Sequence, residues 1–247
     1  MERSEREYGK GGWVGIGTPQ ANPTVEAEFR RLLPEDMEMV TTRLQGSATS
    51  SDQRLMDYLV GVEGALAAYD VLKPDVFGFA CTGSSYLLGA AREAEIVAAA
   101  AAKVGYPVIT AAQAVLSSLQ ALGASRIAVL APYPQNIIDA SVAFWEAEGL
   151  TVTAAKRIDI GSADTRRIYA LSSKDAAAAL AELPTGDADA VLLSGTGMPT
   201  LAAIRDLGPG MGKPLLSSNY CLAWAVMQAL GDELGPWSAA GATLRLS

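Results

Sequence analysis

The chain has 247 residues and not one histidine. That removes the Ser-His-Asp triad and the Cys-His pair, and it takes the commonest ligand from most zinc sites, so no metal is expected. Cysteine is almost absent too. The only two, Cys81 and Cys221, lie far apart and read as free thiols of a reducing compartment. Basic charge is scarce: 19 Lys and Arg stand against 27 Asp and Glu, for a net charge of −8. Such a balance offers no surface for nucleic acid. It leaves room for a small anion, because backbone N–H groups and hydroxyls can hold a carboxylate inside an acidic protein. Long apolar runs are missing, and AEIVAAAAAKVG (94–105) is both short and interrupted by Lys103, so no membrane span is expected. The start, MERSEREYGKGG, lacks the apolar stretch of a secretory signal, which points to a cytoplasmic protein. No Walker, G-x-G-x-x-G, C-x-x-C or G-x-S-x-G pattern stands in a fitting context.

What is present is a globular composition, half apolar with a mean hydropathy of +0.20. Short apolar runs alternate with helical stretches. The pattern predicts strands over 13–17, 37–44, 76–80, 107–110, 126–131, 151–158, 190–194 and 214–217. It predicts helices over 24–33, 52–71, 86–104, 111–122, 135–148, 163–182, 198–207 and 219–230. Strands alternating with helices imply an α/β fold with mostly parallel sheets flanked by helices. The final GATLRLS reads as a loose or packed terminal strand.

The chain also repeats itself. DVFGFACTGSS (75–85) and DADAVLLSGTG (187–197) are the same apolar strand running into a small-residue turn, with Gly195 where Cys81 stood. GYPVITAAQAVLSSLQALG (105–123) returns as GKPLLSSNYCLAWAVMQALG (212–231), and GTPQANPTVEAEF (17–29) loosely as LAPYPQNIIDASVAF (130–144). We therefore expect two pseudo-symmetric, Rossmann-like halves, 1–123 and 124–247, with the active site in the cleft between them. The last helix is free to pack on either half.

Cys81 is the residue that most constrains chemistry. It stands at a strand end, before Thr82-Gly83-Ser84-Ser85 and a helix, where N–H groups and the helix dipole favour a thiolate. Thr82, Gly83 and Ser84 form a turn of hydroxyls and N–H groups suited to a carboxylate or an enolate, and equally suited to helix capping. The Gly195-Thr196 turn has the same shape without the thiol. Asn22 and Tyr133 end the first strands of the two halves, and both can donate to an anion. Cys221 lies among apolar neighbours and reads as a core thiol.

These residues resemble the maleate isomerase and arylmalonate decarboxylase group of the Asp/Glu racemase superfamily. The likeness spans about 12–231 and rests on GIGTPQANPTVEAE, FACTGSS, VLAPYPQN, LLSGTGMPTLAAI and GKPLLSSNYCLAWAVMQALG. It implies a cofactor-independent enzyme acting on a small dicarboxylate, assembled as a homodimer or higher homo-oligomer. It implies Cys81 as nucleophile, with Asn22 and Tyr133 binding substrate as in the isomerases, or Thr82 and Tyr133 holding a carboxylate as in the decarboxylases. Three departures stand out. Gly195 replaces the family's second cysteine, Gly83 replaces a hydroxyl residue, and the isomerases' second asparagine has only Ser162 or Asp164 as its nearest equivalent.

With one thiol, a two-base racemase lacks half its machinery. Maleate cis–trans isomerisation fits the motif best, and decarboxylation of a malonate through a single cysteine acid is the alternative. A module that binds organic acids without turning them over is the non-enzymatic alternative.

Overall fold

Phe77, Phe79, Leu192 and Leu193 have no solvent exposure, because the strands that carry them lie at the centre of two parallel sheets covered on both faces. The computed structural model describes residues 2–46 and 50–231; the GATLRLS segment lies outside these. The first half runs β1 (Gly12–Pro19), α1 (Thr24–Leu32), β2 (Met37–Leu44), α2 (Ser51–Val60), α3 (Val62–Ala67), β3 (Val76–Phe79), α4 (Thr82–Leu88), α5 (Ala90–Val104), β4 (Val108–Thr110) and α6 (Ala111–Ala121). The second runs β5 (Arg126–Ala131), α7 (Gln135–Ala147), β6 (Thr151–Arg157), α8 (Ser173–Leu180), β7 (Ala190–Leu193), α9 (Leu201–Leu207), β8 (Leu215–Ser217) and α10 (Ser218–Ala229).

The sheets have orders β2-β1-β3-β4 and β6-β5-β7-β8, parallel throughout. The central strands are continuous apolar runs, whereas the edge strands β2 and β6 carry polar residues and are only half buried. In each sheet the winding direction reverses between the two central strands, β1/β3 and β5/β7. Ligand sites of open parallel sheets form outside the carboxyl ends of strands at such a reversal. The residues following those four strands are Asn22, Cys81, Tyr133 and Gly195.

The helices begin and end where side chains and glycines dictate. The stretch 52–71, expected as one helix, breaks at Gly61, which ends α2 and starts α3. The helix expected over 86–104 begins earlier, at Thr82, and breaks at Gly89, whose φ of 78° suits glycine. The segment expected as a helix over 163–182 is a 3-10 turn, Thr165–Ala170, followed by α8. Asp164 caps the turn by accepting from the Arg166 N–H at 3.0 Å, and a Ser172–Asp175 capping box starts α8 afresh. Pro199 delays the helix expected from 198, and α9 starts at Leu201.

α10 is apolar on nearly all sides, as a buried helix must be. It packs on α6, its repeat equivalent, and on α1, β3 and β4 of the first half as well as on β8. Gly78 permits this approach: a Cβ there would stand 2.9 Å from Ile16 Cδ1 and 3.4 Å from Leu222 of α10. Among the described residues, no helix is long and apolar enough to cross a membrane.

Candidate active site

Cys81 is the residue before α4 and is only 3% exposed. Its backbone is tied at the seam. The preceding carbonyl, of Ala80, accepts from Thr196 Oγ1 at 2.8 Å, so the two repeated turns touch directly. The N–H groups of Gly83 and Ser84, the Ser84 hydroxyl and the Arg54 charge all favour the thiolate, but burial outweighs them and pushes the thiol above its ordinary value. This corrects the expectation from the helix start alone: stabilisation by Gly83, Ser84 and Arg54 does not offset removal from water. Ser84 Oγ is buried and, among the described residues, has no oxygen or nitrogen partner; the Cys81 sulfur is the group its hydroxyl favours.

Thr82 and Tyr133 meet across the halves, Oγ1 to Oη 3.0 Å, both buried. Burial and the neighbouring Cys81 hold the Tyr133 phenol protonated, well above its ordinary value, and hence a donor at neutral pH. A Cβ on Gly83 would stand 3.2 Å from Leu55 Cδ1 of α2, closer than an ordinary contact. A Cβ on Gly195 would stand 3.5 Å from Tyr133 Oη and 3.4 Å from Pro132, so the missing second side chain would face the Tyr133 hydroxyl.

The remaining predicted residues form a frame. Asn22 Nδ2 donates to Thr196 Oγ1 at 3.3 Å, while Asn22 Oδ1 accepts from the Thr24 N–H at 2.9 Å and caps α1. The Gly195 N–H is taken by Ser218 Oγ at 3.0 Å, so in this state it is not turned to a ligand. Cys221 is fully buried in α10, its thiol pushed up to about 12 by desolvation.

Several contributors were not singled out from sequence. Tyr86 of α4 reaches into the second half, its Oη 2.7 Å from Ser194 Oγ, and stacks edge-on against Tyr133, Phe144 and Trp145. Buried Glu28 of α1 accepts from the N–H groups of Thr200 (2.6 Å) and Leu201 (3.1 Å) and from Asn219 Nδ2 (2.7 Å); Asn219 also donates to the Thr196 carbonyl at 3.0 Å. This network braces the Gly195-Thr196 turn from behind. Arg54 of α2, 7% exposed, interacts with Tyr58, lends its charge to Cys81 and reaches Asp164 and Thr165 of the second half. Each of them needed the tertiary pairing to be seen.

The four strand ends thus bring one thiol, a hydroxyl pair and an amide together at the seam of a duplicated scaffold. The family model for arylmalonate decarboxylase matches residues 15–243. The chain belongs to the arylmalonate decarboxylase family. Its curated relatives include a maleate isomerase of Nocardia farcinica, 26% identical over 234 residues (88% of this chain, 89% of the relative). They also include the arylmalonate decarboxylase of Bordetella bronchiseptica, 28% identical over 221 residues (88% and 90%). Among solved structures, the fold matches a mutant of the Nocardia farcinica maleate cis-trans isomerase with a covalently bound succinylcysteine intermediate. The TM-score is 0.78, with 24% identity, covering 88% of this chain and 92% of that one. Family membership accounts for the paired sheets and the reversal-point site; it spans enzymes of two reaction types.

Proposed function

We propose that this chain is a cofactor-independent enzyme in which Cys81 attacks the carbon next to a carboxylate of a small dicarboxylate, with maleate cis–trans isomerisation as its reaction. The observation that carries this reading is the setting of Cys81: the end of the first half's central strand, with the Gly83 and Ser84 N–H groups and Arg54 all favouring its anion.

The sequence of steps balances with one thiol. After the Cys81 proton leaves to solvent, the thiolate sulfur bonds to C2 of maleate. The double-bond electrons move to C3 and into its carboxylate as an enediolate, which donors such as Thr82 and Tyr133 stabilise. The C2–C3 bond is now single and turns by half a rotation. The electrons return, the C–S bond breaks, and fumarate leaves with the thiolate restored. No proton reaches carbon, so Gly195 opposite Cys81 is no obstacle. The sulfur–carbon bond is of the kind held in the Nocardia farcinica structure, whose succinylcysteine carries one proton more on carbon than this enediolate. A cytoplasmic homodimer is the setting we propose with it.

One observation favours a second reading. Burial keeps the Cys81 thiol protonated, and a neutral thiol is the acid a malonate decarboxylase needs. There the C–C bond to one carboxylate breaks, carbon dioxide leaves, and the enediolate on Thr82 and Tyr133 takes the Cys81 proton at carbon; water reprotonates the sulfur.

Proton NMR in heavy water with maleate, methylmalonate, phenylmalonate and both aspartate enantiomers separates the readings. Fumarate formation that vanishes in Cys81→Ala supports the isomerase. Deuterated propionate or phenylacetate supports the decarboxylase. Binding without turnover leaves an organic-acid sensor, and turnover retained in Cys81→Ala overturns the role of Cys81.

A further inference from the structure

We propose that Arg54 binds the second carboxylate of the substrate and makes the site selective for dicarboxylates over monocarboxylates. The inference rests on the proposal that a small dicarboxylate is the ligand, and it supplies that ligand's second anchor.

Two buried cations stand out among the described residues, Arg6 and Arg54, each 7% exposed. Arg6 is committed to Asp75, with two bonds at 2.5 and 3.1 Å. Arg54 is held differently. Its Nη2 meets Ser51 Oγ at 3.2 Å, Asp164 Oδ1 at 3.2 Å and Thr165 Oγ1 at 3.1 Å, and the guanidinium also interacts with the Tyr58 hydroxyl of the same helix. The Nη2 distances are long for a guanidinium, whose bonds to carboxylate usually fall near 2.7–2.9 Å. A buried guanidinium has five donors and a desolvation cost to recover. Long contacts of this kind recover only part of it.

Asp164 is meanwhile secured elsewhere. Arg166 grips it with Nε at 2.9 and 3.0 Å and Nη2 at 2.6 Å, which leaves Asp164 ionised at neutral pH. The cluster of Arg54, Arg166 and Asp164 is therefore net cationic by one charge. Its buried member, Arg54, is the one whose charge reaches Cys81, and its helix α2 packs on α4, which Cys81 precedes. The Tyr58 phenol of the same helix lies close enough to feel both the Arg54 charge and Cys81, so Arg54, Tyr58 and the sulfur form one neighbourhood. Leu55, next in sequence, is the side chain that fills the space beside Gly83.

A substrate carboxylate held by Thr82 and Tyr133 occupies one flank of Cys81, and the cation of α2 occupies another. A dicarboxylate bridges the two, whereas a monocarboxylate leaves Arg54 unpaired. Charge-assisted bonds to a desolvated guanidinium make that difference about tenfold or more in affinity.

The test is calorimetric titration of Cys81→Ala, so that binding is read without turnover, in the presence and absence of Arg54→Met. The ligand pairs are maleate against isocrotonate, and methylmalonate against isobutyrate, each pair differing by one carboxylate. With Arg54 present the dicarboxylate binds about tenfold or more tighter; with Met the gap closes to about threefold or less while the monocarboxylate is unmoved. Because Arg166 still pairs Asp164, the Met variant leaves no orphaned charge. Asp164→Asn is the companion variant: it removes a competing anion and widens the gap. Persistence of the dicarboxylate preference in Arg54→Met, or an unchanged or narrowed gap in Asp164→Asn, overturns the inference. Dicarboxylate selectivity without turnover by the unmodified enzyme would instead sink the catalytic reading and leave Arg54 standing.

Discussion

Thr82 Oγ1 and Tyr133 Oη lie 3.0 Å apart, one from each half, with no exposure at the threonine and 4% at the tyrosine. One hydroxyl donates to the other and must turn to serve a ligand, while the accepting one keeps its O–H for the ligand, so the pair acts as a unit. Thr82→Val and Tyr133→Phe should each lower kcat/KM by about tenfold to a hundredfold, the range expected for a lost hydrogen bond to a charged group. The double variant should cost little more than either single change. Steady-state kinetics of the four proteins, with maleate and a malonate, decides it; additive losses would mean that the two hydroxyls act separately.

The thiols carry a pH signature. Burial raises both Cys81 and Cys221, the latter to about 12. A raised group holds its proton more tightly folded than unfolded, so its contribution to stability is complete below the unfolded thiol value and fades as pH climbs toward the folded one. Unfolding midpoints should therefore fall above about pH 8.5, and Cys221→Ala should flatten that fall. Iodoacetamide should label Cys81 more slowly than a free thiol at pH 7 and faster with each step upward, with Cys221 trailing. The same titration separates the chemistries. Isomerisation through the thiolate accelerates with rising pH, whereas decarboxylation through the thiol slows once the sulfur ionises.

The central strands were legible because a strand buried on both faces must be written as a short apolar run, and VFGF and AVLL are such runs. The repeat gave the pairing of Cys81 with Gly195, and the Thr196 bond to the Ala80 carbonyl places those turns against each other. What local pattern could not supply was anything decided by a distant partner. Tyr86 reads as an ordinary helix residue until Ser194, 108 positions on, is placed 2.7 Å from its hydroxyl. Arg54 reads as a solvated face of α2 until Asp164 and Thr165 fold over it. The thiol's raised value had the same origin. The cap that favours the anion is local, but the burial that opposes it comes from the whole fold.

Glu28 is the brace whose removal should be felt far from the thiol. It is 5% exposed and receives Thr200, Leu201 and Asn219, which fix the turn holding Thr196. Burial raises its carboxyl. Its contribution is thus greatest below the ordinary carboxylate range and declines as pH rises through its own higher value. Glu28→Leu strands three donors at once and should cost about 2–4 kcal/mol in urea unfolding, more than a surface change by a wide margin. Glu28→Gln, which keeps one acceptor, should fall between. A loss below about 0.5 kcal/mol for the leucine would show that the network does not carry stability.

Gly195→Cys tests the vacancy opposite Cys81. The backbone there has φ of 108°, a region that side chains rarely adopt, so the change should cost about 1–3 kcal/mol of stability. Space is not the obstacle, since the new Cβ would make ordinary contacts with Pro132 at 3.4 Å and Tyr133 Oη at 3.5 Å. With thiols on both sides of the bound carbon, one can remove an α-proton while the other delivers one. The variant should then exchange the α-proton of a 2-aryl acid for deuterium and racemise it, because racemisation needs an acid on each face of the carbon. Deuterium uptake followed by NMR, together with chiral chromatography of the same sample, reads both events. Exchange without racemisation would place the two sulfurs on one face of the substrate, and then the repeat would not be a two-sided acid–base frame.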